Sequence, residues 1–317
     1  MLASLKSMEA SRATLAYVVF GCILAILCSL VLIQAEADRA ASTINCAAFR
    51  IYPMAGIQSP PELSKEQALV KLHFHRQQMT RQGITDDRIG KTFFQRNWEP
   101  SLSCTVLARL GCPGDGGKWV CDPYRYLATP CVLYSFGSND EFSFEEAVHN
   151  FNPLCEIHTF DPVVSHPNNR PSYVNFHPWG VGVDNSVGDS VFTLPTIMRK
   201  LGHTNVSIVK IDCEGCELDV FDTPSFPAIS GAVQQILMEV HFDGKPERVH
   251  RLFNFLVDMG YAIVNKEANI QYAQGKAVEY SLVHLKEFFH ASEHGNHADD
   301  NPCLIPASPE CWASRSV

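Results

Sequence analysis

Ile208 to Glu217 reads IVKIDCEGCE, and its residue types admit three kinds of chemistry. Cys213 and Cys216 stand at C-x-x-C spacing, which suits a dithiol or half of a zinc site. Asp212 and Glu214 flank a cysteine directly after an apolar run, an acid-x-acid pattern that suits a divalent metal bound with a sugar nucleotide. The same two acids also suit the end of a central strand in an α/β sheet, with their carboxylates facing a crevice.

The thiol readings are the weakest. A reactive thiolate needs cations or a helix terminus beside it, whereas Cys213 and Cys216 sit among Asp212, Glu214 and Glu217, whose charges oppose ionisation. No second Cys/His pair at zinc-finger spacing completes a four-ligand set. The pair therefore reads as structural, bridged to each other or to other cysteines, and no resident metal is expected.

Other strand ends carry polar groups too. YSFGSNDEFSFEE follows one apolar run, with Gly137 permitting a tight turn and Ser138 and Asn139 offering polar atoms before a helix N-terminus. HTFDP ends the next run, placing Asp161 about 20 residues downstream, where a dinucleotide fold puts its ribose-binding acid. A turn-forming Asp before Pro162 is the plainer alternative. NFHPWGVG offers an adenine slot, although Trp179 suits a core equally well. LMEVHF sets Glu239 and His241 on one side of a strand at two-residue spacing.

Strands and helices that would hold these groups alternate from Cys131 onward. CVLYSF, CEIHTF, VSIVKI, QQILMEVHF, YAIVN and EYSLVHL read as buried strands. Between them SFEEAVHNF and TLPTIMRKLG read as short helices. PERVHRLFNFLVDMG is a longer helix, started by Pro246, followed by Gly260, and striped by Val249, Leu252, Phe253, Leu256 and Met259. This alternation predicts a doubly wound α/β sheet with helices on both faces. Upstream, SKEQALVKLHFHRQQM opens at capping-box spacing and reads as a helix with exposed His73 and His75, and GCPGDGGKWVCDP reads as a Gly-rich connector.

The chain has 317 residues, 46% hydrophobic and 19% charged, with a formal net charge of -9. That composition allows a sizeable core, and the absence of a basic cluster argues against a nucleic-acid partner. Thr14 to Gln34 carries no charge and is long enough to cross a bilayer. Lys6 and Arg12 precede it, so residues 1–13 are expected in the cytosol and the bulk of the chain in the lumen or outside, as in a type II protein of the ER or Golgi. Ala35–Ala37 offers the alternative of signal cleavage and secretion. Residues 35–61 read as a stem, 62–130 as a helical and Gly/Cys-rich extension, 131–289 as the main domain, and 290–317 as a polar tail. Cys22 and Cys28 lie in the apolar run and leave an even number outside it, as an oxidising compartment favours. Asn205 heads the one glycosylation sequon.

TLPTIMRKLGHTNVSIVKIDCEGCELDVF, with FGSN and FDP upstream and MEVH downstream, resembles the FkbM-type S-adenosylmethionine-dependent methyltransferases. More narrowly, it is similar to membrane-anchored methyltransferase-like proteins that carry GDGGKWVCDP before the domain. The resemblance spans about Cys104 to Leu285 and is most specific at Lys210–Glu217. It implies S-adenosylmethionine as cofactor, held by Phe136, Gly137, Ser138, Asn139 and Asp161, with Asp212 and Glu214 orienting cofactor or acceptor. Ser135 and Glu141 depart from the family pattern, which has an Asp and a second glycine there. For an oxygen acceptor (glycan, lipid, protein or small molecule) a base is needed, and His241 and Glu239 are the candidates, with Asp212 as a further catalytic group. Pairing of Glu239 and His241 with neighbours at a sheet edge is the structural alternative. A type II glycosyltransferase using Asp212 and Glu214, and a non-catalytic luminal binding protein, are the rival functions.

Overall fold

The computed structural model describes residues 50–52 and 90–286, apart from 114–115, 129, 165, 184–189, 222, 271–272 and 274–275. The apolar run, the helix expected over Ser64–Met79, the polar tail and all of the expected stem except Arg50–Tyr52 lie outside the described residues; Arg50–Tyr52 forms a strand, so that part of 35–61 is not a structureless stem. Among the described residues no helix is long and apolar enough to cross a membrane.

Seven strands form the main sheet: β4 (Val132–Phe136), β5 (Glu156–Phe160), β6 (Val174–His177), β9 (Val206–Ile211), β10 (Val233–His241), β11 (Tyr261–Ala268) and β12 (Ala277–His284). Their spatial order is β11-β12-β10-β9-β4-β5-β6. The strands from β10 to β6 run parallel, whereas β12 is antiparallel to both β10 and β11. Counted along the chain this order is 3-2-1-4-5-7-6, a dinucleotide-type winding with the last strand slipped in beside the fifth. The winding reverses between β4 and β9, and the carboxyl ends of the strands at such a point are where α/β sheets bind their ligands.

Burial follows from the strand sequences. Every residue of VSIVKI in β9 is buried, as a strand covered on both faces requires. One face packs against α1 (Gly90–Arg96), α4 (Leu194–Leu201) and α5 (Pro246–Asp258). The other packs against α3 (Ser143–Phe151) and a small sheet of β1 (Arg50–Tyr52), β2 (Leu107–Leu110) and β3 (Lys118–Cys121). Between β3 and β4 lies the single-turn α2 (Pro123–Tyr126). The remaining pair, β7 (Gly180–Val181) and β8 (Val191–Phe192), is a two-stranded ladder. In α5 the expected stripe is buried at Val249, Leu252, Phe253 and Leu256, with Pro246 in its first turn. In α4 Thr193 caps the start by accepting from the Thr196 N–H at 3.3 Å, and Gly202 ends it at φ +77°.

The small sheet corrects one expectation. The Gly-rich stretch is no mere connector, because KWVC within it forms β3. The amide of Gln235 on β10 fixes that strand, accepting from the Cys121 N–H at 2.9 Å and donating to the Cys121 carbonyl at 3.1 Å. Ser281 adds a third tie, its hydroxyl donating to the Trp119 carbonyl at 2.6 Å. Disulfides Cys104–Cys121 and Cys131–Cys155 secure the same side.

Candidate active site

Along the carboxyl edge of the sheet the adjacent strands β10, β9, β4 and β5 lead in turn to Glu239 and His241, Asp212, Gly137, and Asp161. At about 4.8 Å per strand this row spans roughly 14 Å.

The turn after β4 is tight for a local reason. Gly137 has φ +80°, and a Cβ there would lie 1.6 Å from the Asp212 carbonyl oxygen, so only glycine lets β4 and β9 leave the sheet side by side. Asn139 and Asp140 follow at φ 45° and 60°. Asp161 holds this turn from the neighbouring strand. One of its oxygens accepts from the Asn139 N–H at 2.9 Å and the Ser138 hydroxyl at 3.4 Å; the other accepts from the N–H groups of Val163 and Val164 at 2.9 and 3.0 Å. Burial opposes its charge, but these donors outweigh it and hold the carboxyl below the usual Asp range. Asp161 is therefore a turn-former as well as a strand-end acid.

Asp212 meets a cation that sequence reading missed. Lys118 reaches from β3 to within 2.9 Å of Asp212 Oδ2 and also pairs with Glu279 of β12. Burial works against the lysine's charge, yet Glu279 and Asp212 outweigh it and hold Lys118 above the ordinary lysine range. Asp212 in turn stays below the ordinary Asp range: burial favours its neutral form, and Lys118 and Lys210 overcome that. Glu239 lies directly opposite Glu279 in the β10–β12 register, and its Oε1 accepts from the Asn269 amide at 2.8 Å. With Glu239 only 3% exposed, burial first, then the charges of Glu279 and Asp212, push its carboxyl up to about 7.

His241 is clamped from below. The wholly buried Glu217 accepts from the His241 main-chain N–H at 2.8 Å and lies 2.9 Å from its Nδ1. Glu214, exposed on its turn, reaches to 3.2 Å of Nε2. Burial alone would lower the imidazole's pKa, but Glu217, Glu239 and Glu214 raise it to about 9. Cys213 and Cys216 form a disulfide with each other, leaving no dithiol.

Several expectations change. Raised to about 9, His241 is held toward its imidazolium form at neutral pH, so Glu239, pushed up to about 7, is the better matched of the two base candidates. Neither lies at a sheet edge, because β10 runs between β9 and β12. Glu214 turns to His241 instead of converging with Asp212 on a metal. Asp212, Glu239 and His241 do bring ligand atoms within 4.8 Å of one another, where Lys118 already supplies charge. The Phe136 ring is buried in a stack with Phe160, His177 and Trp179, centroids 4.5, 4.9 and 4.7 Å apart, so only its main chain borders the turn. Trp179 belongs to that stack, not to an open adenine slot. Lys118, Glu217, Glu279 and Asn269 are the residues sequence reading did not select. A charged residue inside an otherwise apolar strand was the available signal for Lys118 and Glu279.

This sheet order defines a doubly wound, Rossmann-like α/β fold. A family model described as "Methyltransferase domain" matches residues 62–284, and the chain belongs to that family. S-adenosylmethionine is accordingly its cofactor. The residues present fit that group: Asp161, Asp212 and Glu239 stand at the carboxyl ends of neighbouring strands, and the Gly137 turn, which admits no Cβ, lies between them. A search of curated proteins finds no match. Among solved structures, the chain is similar to a precorrin-6y C5,15-methyltransferase from Geobacter metallireducens GS-15, at 14% identity over 48% of this chain and 79% of that one, TM-score 0.29. It is also similar to the N-methyltransferase NodS from Bradyrhizobium japonicum WM9, at 9% identity over 49% and 85%, TM-score 0.31. The plantazolicin methyltransferase BpumL, in complex with a monoazolic desmethylPZN analog and SAH, gives 9% identity over 69% and 97%, TM-score 0.31.

Proposed function

We propose that the chain is a membrane-anchored, FkbM-type O-methyltransferase that methylates a hydroxyl of a secretory-pathway acceptor, with a glycan first among the candidates. The observation that supports this most is Glu239, a buried carboxyl beside Asp212 at the strand ends, pushed up to about 7. Such a group is matched to taking a hydroxyl proton near neutral pH.

When bound, S-adenosylmethionine supplies an electrophilic methyl on a sulfonium. The chain supplies position and charge. Lys118 and Lys210 keep Asp212 ionised, and its carboxylate at the end of β9 would orient the cofactor or the acceptor. Glu239 accepts the acceptor's proton, while the His241 imidazolium, fixed by Glu217, borders the same end of the row. At the other end the Gly137–Asn139 turn and Asp161 would hold the cofactor's amino-acid and ribose portions. Of the four donors to Asp161 the Ser138 hydroxyl is the most distant, at 3.4 Å, so it is the one a ribose hydroxyl would replace.

Lys6, Arg12 and the apolar run over 14–34 favour a luminal domain, with secretion after cleavage near Ala37 as the alternative. Three disulfides among the described residues support an oxidising compartment. A second reading, a non-catalytic binding protein, is favoured by Glu141, whose carboxylate accepts from the Ser143 N–H at the start of α3, where the family pattern has glycine upstream. Family membership leaves the glycosyltransferase alternative without support.

Radiolabelled methyl transfer to oligosaccharides, compared with amine acceptors, tests the proposal. Label should enter base-stable ether linkages, and Glu239→Gln should cut turnover at least about 100-fold with S-adenosylhomocysteine affinity kept. Label in amines, or full turnover in Glu239→Gln, rejects it.

A further inference from the structure

At the opposite, amino-terminal end of the strands lies a second cluster of functional side chains that methyl transfer does not use. Glu156 opens β5, His158 sits two residues on, and His203 lies in the loop between α4 and β9. His158 Nε2 is 2.8 Å and His203 Nε2 3.4 Å from the same Glu156 oxygen. One ligand atom from each of the three lies within 4.8 Å of the others.

The far nitrogens of both rings are also occupied. His158 Nδ1 is 2.9 Å from His177 Nε2, and His203 Nδ1 is 2.7 Å from the Tyr134 hydroxyl. We propose that Glu156, His158 and His203 form a binding site for a zinc-type divalent transition metal, separate from the methyl-transfer crevice. Two imidazoles and one carboxylate are a donor set for zinc, with a fourth position left to water. Metal-ligating histidines have their outer nitrogen held by a polar partner, which fixes ring and tautomer. His177 and Tyr134 occupy those outer positions here. Nothing of that kind is required by a half-exposed carboxylate, for which one imidazole and water suffice.

The dimensions agree. Bonds of about 2.0–2.1 Å in a tetrahedron place ligand atoms roughly 3.4 Å apart, so the 2.8 Å pair must open slightly and the 3.4 Å pair is already in place. Binding leaves each ring neutral: with its Nε2 lone pair given to the ion, each imidazole carries its hydrogen on Nδ1 and donates it to His177 Nε2 or to the Tyr134 hydroxyl oxygen. His158 is buried, whereas the Glu156 side chain is 51% exposed, which gives the ion a route from solution. A bound ion ties the start of β5 to the loop leading into β9, across the strand between them.

The test uses the full-length protein, stripped with chelator, dialysed and titrated with zinc against a chromophoric competitor, with bound metal counted by mass spectrometry. His203→Asn and Glu156→Gln change partly exposed ligands and should fold. Each should weaken zinc binding at this site about 100-fold or more and abolish a zinc-induced rise in melting temperature. Tyr134→Phe, which keeps the ring and removes only the outer partner, should weaken it about 10–100-fold. His241→Gln, in the crevice, should leave zinc affinity intact. Zinc anomalous scattering should locate the ion between Glu156 and His203. Absence of zinc binding by the folded wild type overturns the proposal, as does unchanged affinity in both His203→Asn and Glu156→Gln.

Discussion

His241 Nδ1 lies 2.9 Å from an oxygen of Glu217, and Glu217 is wholly buried beneath it. A buried carboxylate aimed at an imidazole favours its cationic form, and Glu217 is the leading partner that raises His241 against its own burial.

The first prediction concerns that pair. The folded value of His241, about 9, exceeds the unfolded value of about 6.5. The pair's stabilisation is therefore complete below about 6.5 and lost as pH rises through about 9. Glu217→Gln should destabilise the protein by about 3 kcal/mol at neutral pH, as breaking a buried pair does, and should flatten this alkaline loss. Denaturant melts across pH 6 to 10, with an NMR titration of His241, check both.

For catalysis the sign runs the other way. As the proposed base Glu239 would act only when ionised, so turnover should rise with pH through about 7. Lys118 restrains that value by its positive charge, and a charge-neutral residue at 118 should move the rising limb to higher pH. A pH–rate profile at saturating cofactor reads the limb directly. A limb near the ordinary Glu value would take the base role away from Glu239.

Lys118→Met tests the buried triad for stability. It leaves Asp212 and Glu279 without their shared cation, at a cost of about 3–5 kcal/mol near neutral pH. Mild acid should narrow the gap between variant and wild type. In the wild type Asp212 is held low, so its stabilising effect is present above the unfolded value and lost as pH falls. Parallel urea melts at two pH values measure the difference.

Asp161→Ala should weaken S-adenosylhomocysteine binding at least about tenfold, the loss of one charge-assisted hydrogen bond at about 1.5–3 kcal/mol. It should also lower the melting temperature, because the main-chain N–H groups of Asn139, Val163 and Val164 lose their acceptor. Calorimetry on the folded variant separates the two effects, and unchanged affinity would remove Asp161 from the cofactor site.

Replacing both Cys213 and Cys216 by Ser should cost about 2 kcal/mol, the loop-entropy value for so short a ring. Turnover in the folded fraction should persist, since Asp212 and Glu217 are held by Lys118 and by the His241 main chain, not by the bridge. A melting curve with a methyl-transfer assay on the same sample decides this.

The chain's sequence by itself determined the alternation of elements. VSIVKI, CVLYSF and PERVHRLFNFLVDMG carry periods that only a buried strand or an amphipathic helix can satisfy, and burial acts on each segment locally. Strand ends such as Gly137, Asp161 and Asp212 were legible for the same reason, because α/β winding places such ends at the crevice. Tertiary structure alone decided what each charged group faces. Lys118 lies 94 residues from Asp212 along the chain, and Glu217 meets His241 only because the turn after β9 folds under the end of β10. A pKa depends on partners within a few ångströms, and those partners come from different elements. Hence the imidazolium at His241, the raised carboxyl of Glu239 and the convergence of Glu156, His158 and His203 have no signature in the order of residues, and only their packing produces them.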